Sequence, residues 1–181
     1  MKIIGITGTL GAGKGTIVEY LLKEKGFMHF SVRGYLIGEI KKLGLPVNRD
    51  SMTSVANDLR AKNSPAFIIE ELYKEAAKTG MNSIIESIRT PGEIDFLKKQ
   101  GNFILLAVDA DPRIRFERIK LRASETDKIN FETFAANEKR EMTSGDPNKQ
   151  NLAKCIEMAD IVLNNNGSIS HLIDQLNQTL I

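Results

Sequence analysis

Hydrophobic residues along the chain follow two alternating patterns. Short continuous apolar runs, typical of strands buried in a sheet, alternate with longer stretches in which apolar residues recur at helical spacing. The predicted strands cover residues 2–7, 27–30, 83–87, 103–108 and 160–163. The predicted helices cover residues 14–25, 33–43, 50–62, 64–80, 90–101, 111–122, 131–142, 149–158 and 168–180. This alternation predicts an α/β fold in which a five-stranded parallel sheet is flanked by helices.

Functional residues are expected just after the strands, because ligands of open parallel sheets bind beyond the carboxyl ends of the strands. Polar or glycine-rich segments do follow them. These segments are 8–16, Ser31 with Arg33, Glu86 with Arg89, Asp109, and 164–167.

A glycine-rich segment, Gly8-Thr-Leu-Gly-Ala-Gly-Lys-Gly-Thr16, connects the first strand to the first helix. Glycines let the backbone turn tightly and leave its N–H groups free to bind phosphate. The helix N-terminus and Lys14 add positive charge at the same place. The segment therefore predicts a phosphate-binding loop (P-loop) for a nucleoside triphosphate. Its expected ligand contacts are Gly11, Ala12, Gly13, Lys14, Gly15 and Thr16.

One position departs from the commonest form of this motif, since Gly15 stands where Ser or Thr follows the lysine. The hydroxyl comes one residue later, at Thr16. In this form the loop resembles that of adenylate kinase and its nucleoside monophosphate kinase relatives. The resemblance implies a P-loop NTPase fold, ATP as phosphoryl donor, and Mg²⁺ held largely through water near Thr16.

Glu86 ends the apolar run Ile84-Ile85-Glu86 next to the predicted P-loop strand. A carboxylate in this position is the Walker B arrangement, and it would orient Mg²⁺ or its waters. Asp109 ends the following strand and is the competing candidate for the metal. Asp109 also fits a helix start, since Asp111-Pro112 follows it.

Arg89 comes three residues after Glu86, in the segment Glu86-Ser-Ile-Arg89-Thr90. Adenylate kinases carry Asp-Gly-Phe-Pro-Arg-Thr in the corresponding place, where the arginine grips the phosphate of the acceptor. This chain has one residue fewer between the carboxylate and the arginine. The resemblance nonetheless implies that Arg89 binds the acceptor.

Arg118 and Arg122 lie four positions apart on one predicted helix and so share a face. The adenylate kinase family has two arginines at this spacing at the base of its lid, which implies contacts to ATP and a catalytic role together with Lys14 and Glu86. Arg113 and Arg115 lie on other faces of the same helix, and we expect them in solvent.

The same resemblance divides the chain into three functional parts. They are a core of residues 1–30, 81–122 and 148–181, an acceptor-binding helical insert at 31–80, and a short lid at 123–147. The insert offers Ser31, Arg33 and Arg60 as further acceptor contacts. It lacks the Thr-Gly-Asp-x-x-Arg segment of adenylate kinase, so AMP is not specified as the acceptor.

The segment Asn164-Asn-Asn-Gly167, after the last strand, is similar to one in dephospho-coenzyme A kinase. Proteins of this superfamily hold the edge of adenine there. The resemblance implies that Asn165 and Gly167 contact the base of ATP.

Composition favours a small-molecule enzyme of the cytoplasm. The net charge is only +2, which does not indicate a nucleic-acid or membrane partner. Cys155 is the single cysteine, lies in an apolar helical pattern and is expected in the core of a protein from a reducing compartment. The longest apolar run, 103–108, is far too short to span a membrane. A monomer or small homo-oligomer is expected.

These features favour a nucleoside monophosphate kinase that transfers the γ-phosphoryl group of ATP to a small-molecule nucleotide acceptor. The alternative is a hydroxyl kinase similar to dephospho-coenzyme A kinase, which needs a general base near the second strand. No aspartate follows Phe30 to serve as that base. A nucleotide-binding module without turnover is the further alternative. The identity of the acceptor stays open.

Overall fold

The computed structural model describes residues 1–122 and 129–179. Five strands form one parallel sheet: β1 (Ile3–Gly8), β2 (Met28–Ser31), β3 (Ser83–Glu86), β4 (Phe103–Asp109) and β5 (Ile161–Asn164). Their order across the sheet is β2-β3-β1-β4-β5. In β1, Ile4 pairs with Ile84 on one side and with Ile104 on the other. The predicted α/β fold with a five-stranded parallel sheet is confirmed.

Nine helices occur within the described residues. They are α1 (Lys14–Lys25), α2 (Val32–Lys42), α3 (Arg49–Lys62), α4 (Phe67–Thr79), α5 (Pro91–Lys99), α6 (Pro112–Arg122), α7 (Phe131–Met142), α8 (Leu152–Glu157) and α9 (Ile169–Thr179).

The sheet has a hydrophobic core on each face because successive strand residues point to opposite sides. Ile84 and Leu106 pack with α1 and α9 on one face. Ile85 and Leu105 pack with α2 to α5 on the other. Cys155 of α8 is fully buried in this second core, as predicted.

The N-cap residues explain where the predicted helix starts are right and where they are wrong. Thr90 and Glu93 form a capping box at the start of α5, which agrees with the helix predicted from residue 90. Asn48 caps α3, since its side chain accepts a hydrogen bond from Ser51 N, and α3 begins at Arg49, one residue before the predicted start. α8 begins three residues later than predicted, since Asn151 is its N-cap.

The predicted insert, 31–80, folds into α2, α3 and α4. Six residues of the predicted lid, 123–128, lie outside the described residues, and the remainder contains α7. No helix within the two described ranges is both long enough and apolar enough to cross a bilayer.

Candidate functional site

A cavity of about 530 Å³ opens beyond the carboxyl ends of β1 and β3. Its walls come from the P-loop, the first turns of α2, the inner face of α3, the segment after β3, and α6. α7 contributes Glu141, and the loop after β5 contributes Asn165. Gln150, before α8, and Ile169, at the start of α9, complete the lining. The fold therefore brings residues from many separate parts of the chain to one concave site.

The P-loop is packed so closely against its neighbours that two of its glycines are sterically required. A side chain at Gly11 would overlap the carbonyl oxygen of Arg115, and one at Gly13 would overlap the amide of Asn165. Both residues also have positive φ, 79° and 109°. Asn165 donates to the carbonyl of Ala12 at 2.7 Å, which holds the loop after β5 against the P-loop.

Lys14 curls back onto its own loop. Its Nζ donates hydrogen bonds to the carbonyl oxygens of Gly8 and Thr9, each at 2.8 Å. Burial, followed by the positive charge of Arg89, lowers the pKa of Lys14 to about 7. The ammonium group therefore exchanges its proton close to neutral pH, and a bound anion would strengthen its charged form.

Arg115 supports the P-loop from beneath, and the prediction that it lies in solvent was wrong. Only 2% of its surface is exposed. Its guanidinium donates to the carbonyls of Ala110, at 2.7 Å, and Leu10, at 3.3 Å, and forms an ion pair with Glu138 of α7. The signal was present in the sequence, because Arg115 lies four positions before the buried Ile119 and shares its face.

Glu86 lines the cavity at the end of β3, and two side chains hold its carboxylate. Oε1 accepts a hydrogen bond from Ser87 Oγ at 2.9 Å, and Oε2 lies 3.2 Å from His29 Nε2. Burial raises the pKa of Glu86, but the contact with His29 and the charge of Lys14 together outweigh it, so the pKa lies below its usual range. Glu86 is thus anionic at neutral pH.

Asp109, the competing metal candidate, makes its hydrogen bonds outside the cavity. Its Oδ1 accepts from Thr9 Oγ1 at 2.6 Å and from the backbone N–H of Ala110 at 2.9 Å. Asp109 does not line the cavity, whereas Glu86 and Thr16 do. Within residues 1–122 and 129–179, no three His, Cys, Asp or Glu side chains are grouped so as to hold a metal ion by themselves.

Arg89 lines the cavity, but the carboxylate that it binds was not predicted from the sequence. Glu141 of α7 accepts a hydrogen bond from Arg89 Nη1 at 2.8 Å and one from Arg49 Nη2 at 3.0 Å. The two arginines outweigh the effect of burial and keep the pKa of Glu141 below its usual range. Sequence reasoning missed Arg49 and Glu141. A signal existed for Glu141, which lies seven positions after the buried Phe134 and so shares its face.

Arg60 lies in the wall of the cavity and is only 1% exposed. Its Nε and Nη2 both donate to Oε1 of Glu93, at 3.1 and 2.8 Å. The other oxygen of Glu93 accepts from the backbone N–H groups of Arg89 and Thr90. The Arg60–Glu93 pair therefore fixes the backbone that carries Arg89.

The remaining predicted site residues separate into two groups. Those that line the cavity are Gly11, Gly13, Gly15, Thr16, Arg33, Arg118, Arg122 and Asn165. Arg118 is held there by a hydrogen bond to the carbonyl of Asn165 at 2.8 Å. Three others, Ser31, Ala12 and Gly167, are not among the lining residues. The Ser31 hydroxyl instead caps α2 by accepting from Gly34 N, at 3.1 Å.

The part of the cavity nearest the insert combines apolar walls with positive charge. Val32 and Leu36 of α2 face Met52 and Ala56 of α3, and Arg33 lies beside them, with Nη1 3.7 Å from the sulfur of Met52. This part of the cavity therefore combines an apolar surface with a cation, a combination that suits a ligand with both an apolar and an anionic group.

Comparison with known proteins agrees with this architecture. Residues 4–144 match the model of the family described as AAA domain. A UPF0200 protein of Methanococcus vannielii is 31% identical, with 99% of this chain and 95% of the relative covered.

Solved structures show the same fold at low sequence identity. The shikimate kinase of Bacteroides thetaiotaomicron superposes with a TM-score of 0.59 at 14% identity, over 99% of this chain and 98% of that one. A gluconokinase of Sinorhizobium meliloti gives 0.60 at 12% identity, over 96% and 88% of the two chains. The chain therefore belongs to the AAA-domain family and to the UPF0200 proteins, and its fold is that of the P-loop kinases.

Proposed function

We propose that the protein is an ATP-dependent phosphotransferase whose acceptor carries a phosphate of its own, with a (deoxy)nucleoside monophosphate as the simplest case. One observation carries the proposal. A single cavity is lined by the P-loop and, in addition, by three arginines from other parts of the chain, Arg33, Arg49 and Arg89. Several cations beside a P-loop suit two phosphorylated ligands, namely ATP and an acceptor that carries a phosphate of its own.

The P-loop end suits the donor. The P-loop residues in the cavity wall are Gly11, Gly13, Lys14, Gly15 and Thr16, and the N-terminus of α1 that they include favours the phosphates of ATP. Arg118 lines the same end, close to the loop after β5. Ile169, which is 66% exposed and also lines the cavity, offers an apolar surface for the base. We assign Asn165, rather than Gly167, to this part of the site.

The residues present fit Mg²⁺ in the manner of phosphoryl-transfer enzymes. This ion keeps several waters and takes only one or two protein ligands besides the phosphates. Thr16 and the anionic Glu86 both face the cavity and would hold it, directly or through water. When bound, the ion would neutralise charge that develops on the transferred group.

The chain's own residues would carry out the remaining steps by position and charge. Lys14 would leave the carbonyls of Gly8 and Thr9 to bind the transferred phosphoryl group. Arg89 and Arg122 would approach it from the acceptor and lid sides. A phosphate acceptor is already a nucleophile at neutral pH, so no general base is required.

A second candidate is phosphorylation of a hydroxyl on a small molecule, such as dephospho-coenzyme A. The observation that favours it is the pairing of Glu86 with His29, since an oriented carboxylate in the cavity could accept a hydroxyl proton. The names of the two structural neighbours, a shikimate kinase and a gluconokinase, agree with a non-nucleotide acceptor. Its weakness is Ser31 at the end of β2, where an aspartate base would be expected.

ADP release with ATP and Mg²⁺ tests these candidates against each other. The panel pairs each nucleoside monophosphate with its own nucleoside and adds dephospho-coenzyme A. Lys14→Ala is the inactive control, and Lys23→Ala, which removes an exposed lysine paired with Glu19, is the matched active control. Release with a monophosphate but not with its nucleoside supports the proposal. Release only with dephospho-coenzyme A supports the second candidate, and release with none supports a binding module.

We place this activity in the cytoplasm, in a monomer or small homo-oligomer without a nucleic-acid or membrane partner. The near-balanced charge and the single buried thiol support this placement.

A further inference from the structure

A carboxylate from α7 sits inside the cavity on two of its arginines. The two oxygens of Glu141 each take a different partner, Arg49 Nη2 at 3.0 Å and Arg89 Nη1 at 2.8 Å. The side chain of Glu141 is 8% exposed, and those of the two arginines are 18% and 16% exposed. The cluster is therefore largely shielded from water, and charged hydrogen bonds are strong in such surroundings.

The same cluster lines the cavity together with the P-loop lysine. Both Glu141 and Arg89 act electrostatically on Lys14, and Lys14 acts in turn on Glu141. A group held by Arg49 and Arg89 is thus within reach of the place where the donor's terminal phosphoryl group would lie. The acceptor's phosphate would have to lie at this position, which the carboxylate of Glu141 occupies in the structure.

We propose that Arg49 and Arg89 form the subsite for the acceptor's phosphate, and that Glu141 occupies this subsite until the phosphate replaces it. This inference rests on the proposed function. Two oxygens of a phosphate monoester can take the two arginine contacts that the carboxylate oxygens make now, and the dianion brings more charge to them. Phosphate and carboxylate repel each other, so they do not share the pair of arginines at close range.

Exchange at this subsite would change how α7 is held. Glu141 connects α7 to Arg49 of α3 and to Arg89 after β3. Arg140 makes a second connection between α7 and α3, an ion pair with Asp50 at 3.1 Å, but this pair is exposed and outside the cavity. One turn before Glu141, Glu138 remains paired with Arg115 beneath the P-loop. Acceptor binding would therefore release the C-terminal turn of α7 while its middle stays anchored.

Inorganic phosphate is the probe for a binding test, with the donor site filled by a non-hydrolysable ATP analogue and Mg²⁺. Glu141→Gln keeps the shape of the side chain and removes its charge. We expect phosphate to bind this variant about tenfold more tightly than wild type, because the competing carboxylate is gone. Arg140→Gln, which breaks the exposed connection, is the matched control and should leave phosphate affinity unchanged. This increase in phosphate affinity should be absent from the double variant Glu141→Gln/Arg49→Gln, which lacks one of the two arginines.

The opposite result would overturn the exchange. Weaker phosphate binding in Glu141→Gln would mean that the carboxylate only positions the arginines, and unchanged binding would mean that phosphate goes elsewhere. Titration of the ATP analogue alone measures binding at the donor site. An analogue that does not bind would count against the proposed function itself, whereas an analogue that binds normally leaves the phosphate result as a test of the exchange.

A second measurement uses the wild-type protein and does not depend on any variant folding. Hydrogen–deuterium exchange of residues 131–142 should increase when phosphate is added to the analogue-bound protein, most of all in the turn that contains Glu141. Slower exchange in that turn would show that the carboxylate stays in place, which contradicts the proposal.

Discussion

His29 Nε2 lies 3.2 Å from Oε2 of Glu86, so a histidine of β2 orients the carboxylate that ends β3. Removing this contact should loosen Glu86. We expect His29→Ala to lower activity or Mg²⁺ affinity by about 10- to 100-fold, the usual effect of losing a partner that orients a ligand. His29→Gln, which can still donate a hydrogen bond, should recover part of the loss. The measurement is kcat together with the Mg²⁺ concentration at half-saturation.

His171→Ala serves as the control for this prediction, because His171 is exposed on α9. Equal losses in His29→Ala and His29→Gln would mean that His29 acts through packing and not through Glu86.

The lowered pKa of Lys14 predicts a pH dependence of ATP binding. Below pH 7 the lysine is already charged in the free protein, so binding does not require a proton. Above about pH 7 the free lysine is neutral, whereas bound phosphate favours its charged form, so binding must take up a proton. Affinity should therefore fall as pH rises above 7, by up to about tenfold per pH unit. The phosphate's own ionisation, near pH 6, lies below this window.

Calorimetric titration in buffers of different ionisation enthalpy would measure the uptake of this proton at pH 8. Lys14→Met should bind ATP more weakly and lose the dependence. A wild-type affinity that is constant between pH 7 and 9 would contradict the assignment of Lys14 to the phosphates.

Arg89→Ala should raise the KM of the acceptor by about 10- to 100-fold, because a charged hydrogen bond contributes about 1.5–3 kcal/mol. The KM of ATP should change little. Steady-state kinetics with each substrate varied in turn measures both values, and Arg113→Ala, an exposed arginine of α6, is the control. If only the ATP value rises, the donor and acceptor ends of the cavity have been assigned the wrong way round.

The Arg60–Glu93 pair should be important for stability. Both side chains are at most 1% exposed, so Glu93→Ala would leave a buried guanidinium without its counter-charge. We expect a loss of about 3–5 kcal/mol in the free energy of unfolding, measured in urea. Glu75→Ala, which breaks an exposed pair with Lys78, should have a much smaller effect. Similar losses for the two variants would show that Arg60 finds another partner.

Features that depend on neighbouring residues in the chain were predictable from the sequence. The P-loop after β1 and the capping box of Thr90 and Glu93 are examples, since strand, turn and cap chemistry act over a few positions. The parallel sheet followed from the alternation of strands and helices. The helix starts at Asn48 and Asn151 were displaced because several polar residues nearby can cap equally well.

Features that depend on distant parts of the chain were not predictable in the same way. Arg49 and Glu141 are 92 positions apart, and only the tertiary fold brings the two side chains within hydrogen-bond distance. The role of Arg60 likewise depends on Glu93, a residue on another helix. Sequence could identify arginines suited to phosphate, but it could not say which of them a carboxylate already holds.

The position of the transferred phosphoryl group in the product tests the central claim most directly. The protein would be incubated with ATP, Mg²⁺ and the acceptor that gives the fastest ADP release. The phosphorylated acceptor would then be separated from ATP and ADP, and it alone would be examined by ³¹P NMR. The proposed function predicts a diphosphate, recognised by the coupling of its two phosphorus nuclei, and none with Lys14→Ala. An uncoupled phosphate monoester on a new hydroxyl would contradict it, because the acceptor would then be an alcohol and not a phosphate.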